Sequence, residues 1–207
     1  NIFFKSNSGI VLYGDLISNG SSVNPINFYG DKDNTNYSGY ILGIGPSDIF
    51  MNYVSFFDFS STNKLDIPGS VTFYNSNVKL KNVNFNTNSS EDYLNIVNSN
   101  FTMENIVFEN CSSDCFDSDF SDGELNNVKF NISKNDGLDI SESKINANNL
   151  FFKQIGDKAI SAGENSKIYM NNININNSEI GIVSKDGSII EGDNVIIDLV
   201  RLPLAIF

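Results

Sequence analysis

The chain has no histidine and no tryptophan, a single arginine (Arg201) and only two cysteines. Without histidine there can be no Ser-His-Asp triad, no Cys-His pair and no histidine-ligated zinc. Carboxylate, lysine, tyrosine and hydroxyl chemistry remain. Positive charge is scarce, with 13 basic residues against 25 acidic and a formal net charge of −12. Such a chain has no electrostatic reason to approach nucleic acid or an anionic membrane, so cations, neutral sugars or basic partners are the expected ligands. No apolar run reaches the roughly 20 residues that a membrane span requires. The sequence starts at Asn1 with neither an initiator methionine nor a signal peptide, and so reads as a processed form or an excised fragment. Cys111 and Cys115 lie four residues apart. They could close a small surface loop or stay as thiols; spacing does not decide, and a free or incidental pair is favoured.

What the sequence does contain is a repeat. Asn82, Asn105, Asn127, Asn149, Asn172 and Asn194 recur at intervals of 22 or 23 residues. Each is followed by an aliphatic residue, from Val83 to Val195. Two positions further stands a large apolar residue: Phe85, Phe108, Phe130, Phe152, Ile175 and Ile197. The apolar column extends back to Phe56 and Phe28 at longer intervals, where the polar stretches 30–36 and 60–64 read as surface loops. Within a rung the pattern alternates with period two, as in Phe101-Thr102-Met103, and turn formers break it two or three times. Helical solenoids would need a 3.6-residue period and better helix formers.

The pattern predicts an all-β fold, a right-handed parallel β-helix of about eight rungs of 22–29 residues. It occupies 1–207 as one domain, with long-loop rungs over 1–69 and regular rungs over 70–207. Stacked rungs set equivalent residues about 4.8 Å apart. The Phe column becomes an internal stack and the Asn column a ladder of paired amides, both structural. Arg201–Phe207 begins a further rung, so more chain or another subunit is expected to cover that end.

The candidate site is acidic. Each rung can be anchored at Leu94, Phe116, Leu138, Ile160 or Ile182. Two residues before the first four of these anchors stand Asp92, Asp114, Asp136 and then Lys158; one residue after them stand Asn95, Asp117, Asp139 and Ser161. Asp119 shares the outward face of Asp117, and Glu91, Asp122, Asp157 and Glu164 are close in sequence. Carboxylates about 4.8 Å apart repel, so either their pKa values rise or a cation sits among them. Calcium is the expected ion, held by Asp92, Asp114, Asp117, Asp136 and Asp139, because it accepts six to eight oxygens in flexible geometry. A solvated acidic face is the bland alternative.

The segments Glu91-Asp92-Tyr93-Leu94-Asn95, Asp114-Cys115-Phe116-Asp117-Ser118-Asp119-Phe120, Asn135-Asp136-Gly137-Leu138-Asp139, Gly156-Asp157-Lys158-Ala159-Ile160-Ser161 and Ile180-Gly181-Ile182-Val183-Ser184-Lys185-Asp186 resemble the pectin-lyase-like β-helix superfamily. More closely they resemble β-helix domains of secreted or surface bacterial proteins that often accompany a spore-coat-protein-H-like kinase domain. The lead-in Gly14-Asp15-Leu16 through Pro25-Ile26-Asn27-Phe28 is similar to early rungs of secreted β-helices. The resemblance implies a secreted or cell-surface location and polysaccharide ligands, and no one activity.

Three functions compete. The first is a non-catalytic surface module that binds cations, glycans or a neighbouring domain of a larger surface protein, with no nucleic acid and no membrane span. The second, implied by likeness to calcium-dependent polyuronate lyases, uses Lys158 as general base with its pKa lowered, and Asp119, Asp157, Ser161 and Lys185 at the substrate. The third pairs carboxylates, Asp117 or Asp119 with Asp139, as in an inverting hydrolase. Lys185-Asp186 reads as a surface ion pair. Sequons at Asn88, Asn100, Asn110 and Asn131 suit an Asn-rich composition by chance. Tyr13, Tyr29, Tyr37 and Tyr40 read as packing against the long loops rather than as sugar platforms. The surface module is the preferred reading.

Overall fold

A computed structural model describes residues 1–31, 38–61 and 67–207. Most of both predicted loops, and Tyr37, lie outside the described residues. The fourteen strands are β1 (Ile2–Phe3), β2 (Ile10–Leu12), β3 (Leu16–Asn19), β4 (Ile26–Tyr29), β5 (Ile41–Phe59), β6 (Gly69–Asn88), β7 (Asp92–Val97), β8 (Asn100–Cys111), β9 (Asp114–Asp119), β10 (Asp122–Ser133), β11 (Leu138–Ser141), β12 (Lys144–Gly163), β13 (Lys167–Ser184) and β14 (Ile189–Ile206). Apart from one isolated antiparallel bridge, Ser21 to Asn24, every pairing among them is parallel. The result is an all-β parallel solenoid of about eight turns.

Each regular rung has three faces. In one rung the first face is 122–126, the second 128–133 and the third 138–141, and each pairs with its equivalent one rung away. The corner between first and second faces is the Asn column. Asn82, Asn105, Asn127, Asn149, Asn172 and Asn194 all adopt φ between 52 and 58°. An L-residue reaches that left-handed region most easily as Asn, whose short polar side chain bonds locally. The amides do form a ladder: Asn105 Nδ2 donates to Asn82 Oδ1 at 3.0 Å, and Asn127 Nδ2 to Asn105 Oδ1 at 2.7 Å. At Asn149 the chain of donors steps sideways to Asn126, at 3.4 Å.

Inside, Phe28, Phe56, Phe85, Phe108, Phe130 and Phe152 stack with centroids 4.6–5.3 Å apart, and Ile175 continues the buried column. A third ladder runs through the corner between third and first faces. The amide of Ser76 donates to Ser99 Oγ, that of Ser99 to Ser121 Oγ, that of Ser121 to Ser143 Oγ and that of Ser143 to Ser166 Oγ, at 2.9–3.2 Å. These hydroxyls satisfy backbone donors that the tight corner takes out of the sheet.

The cysteines correct the expectation: Cys111 and Cys115 form a disulfide, with Cα atoms 5.3 Å apart, and both are buried. Cys115 occupies the inward corner position that Tyr93, Gly137 and Ala159 fill in neighbouring rungs, which turns its sulfur back towards the second face. At the C-terminal end β14 pairs only with β13 among the described strands, leaving Leu204, the partner of buried Ile182, 62% exposed.

Candidate functional site

The acidic residues gather on the third face, in β7, β9 and β11 and at position 136 just before β11, with Lys158 at the equivalent place one rung on. Strand register sets Asp92 beside Asp114 and runs Asn95, Asp117, Asp139 and Ser161 in one outward row. That row lies lower than its outward orientation suggests. Asn95 is 1% exposed and Ser161 0%, while Asp92 and Asp136 beside them are at 2% and 1%. The row continues into Thr72 and Leu42 on one side and Val183 on the other, all buried. The third face is therefore a recessed strip, apolar at its ends and carboxylate-rich in the middle.

Within the strip the carboxylates are tied to the frame. Asp114 Oδ1 accepts from the amide of Asp136 and from Asn135 Nδ2, both at 2.7 Å. Asp136 Oδ1 accepts from the amide of Lys158 at 2.9 Å, repeating the device one rung on. Asn95 Nδ2 bridges Asp117 Oδ2 at 3.2 Å and Asp119 Oδ2 at 3.3 Å, which puts those two acids on one side of the strand. Three buried oxygens of this strip have no partner among the described residues: Asp92 Oδ2, Asp139 Oδ1 and Ser161 Oγ. Of the five expected calcium ligands, Asp114, Asp136 and Asp139 come together, each offering an oxygen within 4.8 Å of the other two. Asp92 and Asp117 stand outside that group.

Burial drives the electrostatics. It pushes Asp117 up to about 9, helped by the charges of Asp92, Asp119, Asp139 and Asp114. It pushes Asp92 up to about 8, with Asp114 and Glu91 adding to the shift. Asp136 rises only to about 6, because the amide and ammonium of Lys158 oppose its burial. Asp114 and Asp119 are raised too, again chiefly by burial, with hydrogen bonds from Asp136 and Asn95 respectively pulling back. Of the two outcomes expected of crowded carboxylates, raised pKa values or a bound cation, the surroundings of Asp92 and Asp117 produce the first.

Lys158 differs from the lysine expected of a base. Burial favours its neutral form, but Asp157 at 2.5 Å and Asp136 at 3.2 Å outweigh burial, and its pKa is raised. It is held as an ammonium ion. Among the proposed substrate contacts, Asp119 is half-buried, Asp157 is engaged with Lys158, and Ser161 lies below the surface beside Asp139. Lys185 does not pair with Asp186. Its stem lies over Gly163, where an added Cβ would sit 2.9 Å from Lys185 Cε. Asp122 belongs to another face, at the start of β10, whereas Glu164 joins the strip's edge by accepting from Ser141 Oγ at 2.6 Å.

Sequence reasoning missed a second surface feature. A groove of about 750 Å³ runs along the first face past Asn77, Asn100, Thr102, Asp122, Glu124 and Asn146 and does not include the aspartate strip. The outward positions of that face were readable by alternation, but their mixed composition gives no column of one residue type to notice.

No family model matches the chain, and no curated protein does. Among solved structures it is similar to the catalytic domain of GH87 alpha-1,3-glucanase in complex with nigerose, at 10% identity and a TM-score of 0.30, over 100% of this chain and 61% of that one. It is also similar to the Agl-KA catalytic domain, at 13% identity and a TM-score of 0.19, over 99% of this chain and 62% of that one. The chain thus spans less than two thirds of the length of these neighbours, and overlaps at such scores carry no argument about activity. Nothing in the comparisons supports an association with spore-coat-protein-H-like kinase domains.

Proposed function

We propose that the protein is a secreted or cell-surface β-helix module with a carbohydrate-binding role, and that its third face binds a divalent cation, calcium by its chemistry. The observation that carries the cation reading is the meeting of Asp114, Asp136 and Asp139 oxygens beside buried oxygens of Asp139, Asp92 and Ser161 that lack partners. Burying charge without a counter-charge is costly, and a hard cation with oxygen ligands relieves that cost. Lys158 pairs with Asp136 and Asp157 at one end of the strip, and Asp92, Asp114, Asp117, Asp119 and Asp139 have no ammonium partner among the described residues. The buried Cys111–Cys115 bridge supports an oxidising, extracellular location.

The lyase alternative needs an unprotonated amine, and the surroundings of Lys158 run against one. A specific observation favours the carboxylate-pair hydrolase as the second reading: Asp117, held by burial at about 9 as an acid, lies directly across the parallel strand pair from Asp139.

Calcium titration by calorimetry tests the proposal, comparing the native chain with the double variant Asp114→Asn/Asp136→Asn. Saturable binding, with a Kd no weaker than the roughly 10⁻⁴–10⁻³ M of extracellular calcium modules and lost in the variant, is the expected result. Absence of heat at millimolar calcium would reduce the strip to a stack of protonated and ionised acids. Release of reducing sugar ends in chelator, without an unsaturated product absorbing in the near ultraviolet, would instead establish the hydrolase.

A further inference from the structure

The first face carries chemistry that the aspartate strip does not. Its outward side chains come from five successive rungs of β5, β6, β8, β10 and β12, and they line the groove of about 750 Å³. Two further depressions continue it along the same face, one towards Asn126, Asn148 and Tyr169, the other towards Asp15, Asn75 and Asn98. Among the outward groups of β5 to β12 on this face only Phe50, half-buried, is apolar, and Tyr169, at 37% exposure, lines the depression beyond.

Charge separates this face from the rest of the molecule. The groove has three carboxylates (Asp48, Asp122, Glu124) and two ammonium groups (Lys79, Lys144), a near balance on a chain whose formal net charge is −12. Neither a polyanion nor a polycation is favoured by such a surface. A neutral, hydroxyl-rich ligand is. Asn77 is engaged, donating to Asp48 at 3.0 Å. The side chains of Asn100, Thr102, Glu124 and Asn146 make no hydrogen bond to another described residue and point into the groove. Amide and carboxylate groups of this kind meet vicinal hydroxyls with two hydrogen bonds at once, and the ring edges of Phe50 and Tyr169 offer apolar contact for sugar C–H faces.

Periodicity supports the same ligand class. Rungs recur about 4.8 Å apart, so the central part of the groove, from Asn77 to Asn146, extends over roughly 14 Å along the solenoid axis. A polymer of repeating units lying along that axis meets a similar set of donors and acceptors at each rung, and weak contacts then combine.

We infer that the first-face groove binds a neutral oligosaccharide lying along the solenoid axis, at a site separate from the cation strip on the third face. This deepens the carbohydrate reading above and rests on it.

The test is affinity electrophoresis of the full chain against soluble neutral glucans, mannan and xylan, with polygalacturonate as the charged control. Two variants decide the face: Asn100→Ala/Asn146→Ala in the groove, and Asp114→Asn/Asp136→Asn in the strip. The groove positions are solvent-facing, so circular dichroism and the thermal transition should be unchanged in that variant. The expected result is retardation by at least one neutral glycan, reduced tenfold or more by the groove substitutions and unaltered by the strip substitutions or by chelator. Retardation lost only in the strip variant would overturn the groove assignment and leave the carbohydrate role standing. Retardation by polygalacturonate alone would overturn the inference of a neutral ligand. No retardation by any polymer would overturn the carbohydrate reading itself.

Discussion

The phenylalanine column and the aspartate strip are built by the same rule and have opposite energetics. Both place like side chains one above another at the rung spacing. Rings stacked from Phe28 to Phe152 gain dispersion and burial at each step. Carboxylates stacked through Asp92, Asp114 and Asp136 gain nothing from one another, and burial makes each harder to ionise. A solenoid therefore multiplies whatever its sequence repeats, and it repeats a penalty as faithfully as a stabilisation. That the acids persist in three consecutive rungs, on a strip more deeply set than a solvated surface, supports the functional reading of the third face.

The largest effect should come from breaking the aromatic side of this contrast. Phe130→Ala removes a fully buried ring that stacks on both Phe108 and Phe152. It should cost about 3–5 kcal/mol in denaturant unfolding. A loss under about 1 kcal/mol would mean that the column contributes no more than ordinary surface contacts.

The acidic side predicts a pH dependence. An acid with a raised folded-state pKa holds its proton more tightly folded than unfolded. Stability in chelator should therefore fall as pH rises from the ordinary value of 3.8 towards the folded values of about 8 for Asp92 and about 9 for Asp117. Asp117→Asn should flatten that decline and raise the midpoint of thermal unfolding at pH 8. Calcium should flatten it in the native chain by favouring the ionised carboxylates. A profile that is flat from pH 4 to 9 without metal would show that the strip is better solvated than its burial implies.

A smaller effect sharpens the role of the corners. Asn127 holds a left-handed backbone, φ 55°, and donates to Asn105. Asn127→Ala should cost roughly 1–2 kcal/mol from the conformation alone, whereas Asn127→Gly should recover part of that loss. Equal losses in the two variants would assign the whole effect to the amide ladder.

The repeat made the fold legible, because an apolar residue every 22 or 23 positions, set among period-two alternation and turn formers, fits a stacked coil of strands and little else. Phe85, Phe108, Phe130 and Phe152 take their places in the core for that reason. The acidic columns were legible as columns, since Asp92, Asp114 and Asp136 share one spacing. Depth was not legible. Whether an outward side chain such as Ser161 or Asn95 ends up exposed depends on how neighbouring positions close over it, and no periodicity encodes that. The serine ladder carried the same signal as the asparagine ladder, with Ser99, Ser121, Ser143 and Ser166 spaced 22, 22 and 23 apart, yet serine is common in loops and does not stand out. The bond between Cys111 and Cys115 depends on a corner that turns one inward residue back towards the preceding face, which four residues of sequence do not reveal.

The pairing register has a consequence for how such a chain can change over generations. Each regular rung bonds only to the rung before it and the rung after, so no contact measures the total length. Duplicating a segment such as 114–135 in frame would insert one more turn whose ends already match their new neighbours. That single event would add a ring to the phenylalanine column and further aspartates to the third face. Length and charge are heritable here in units of a whole turn, and point substitution is the slower route to either.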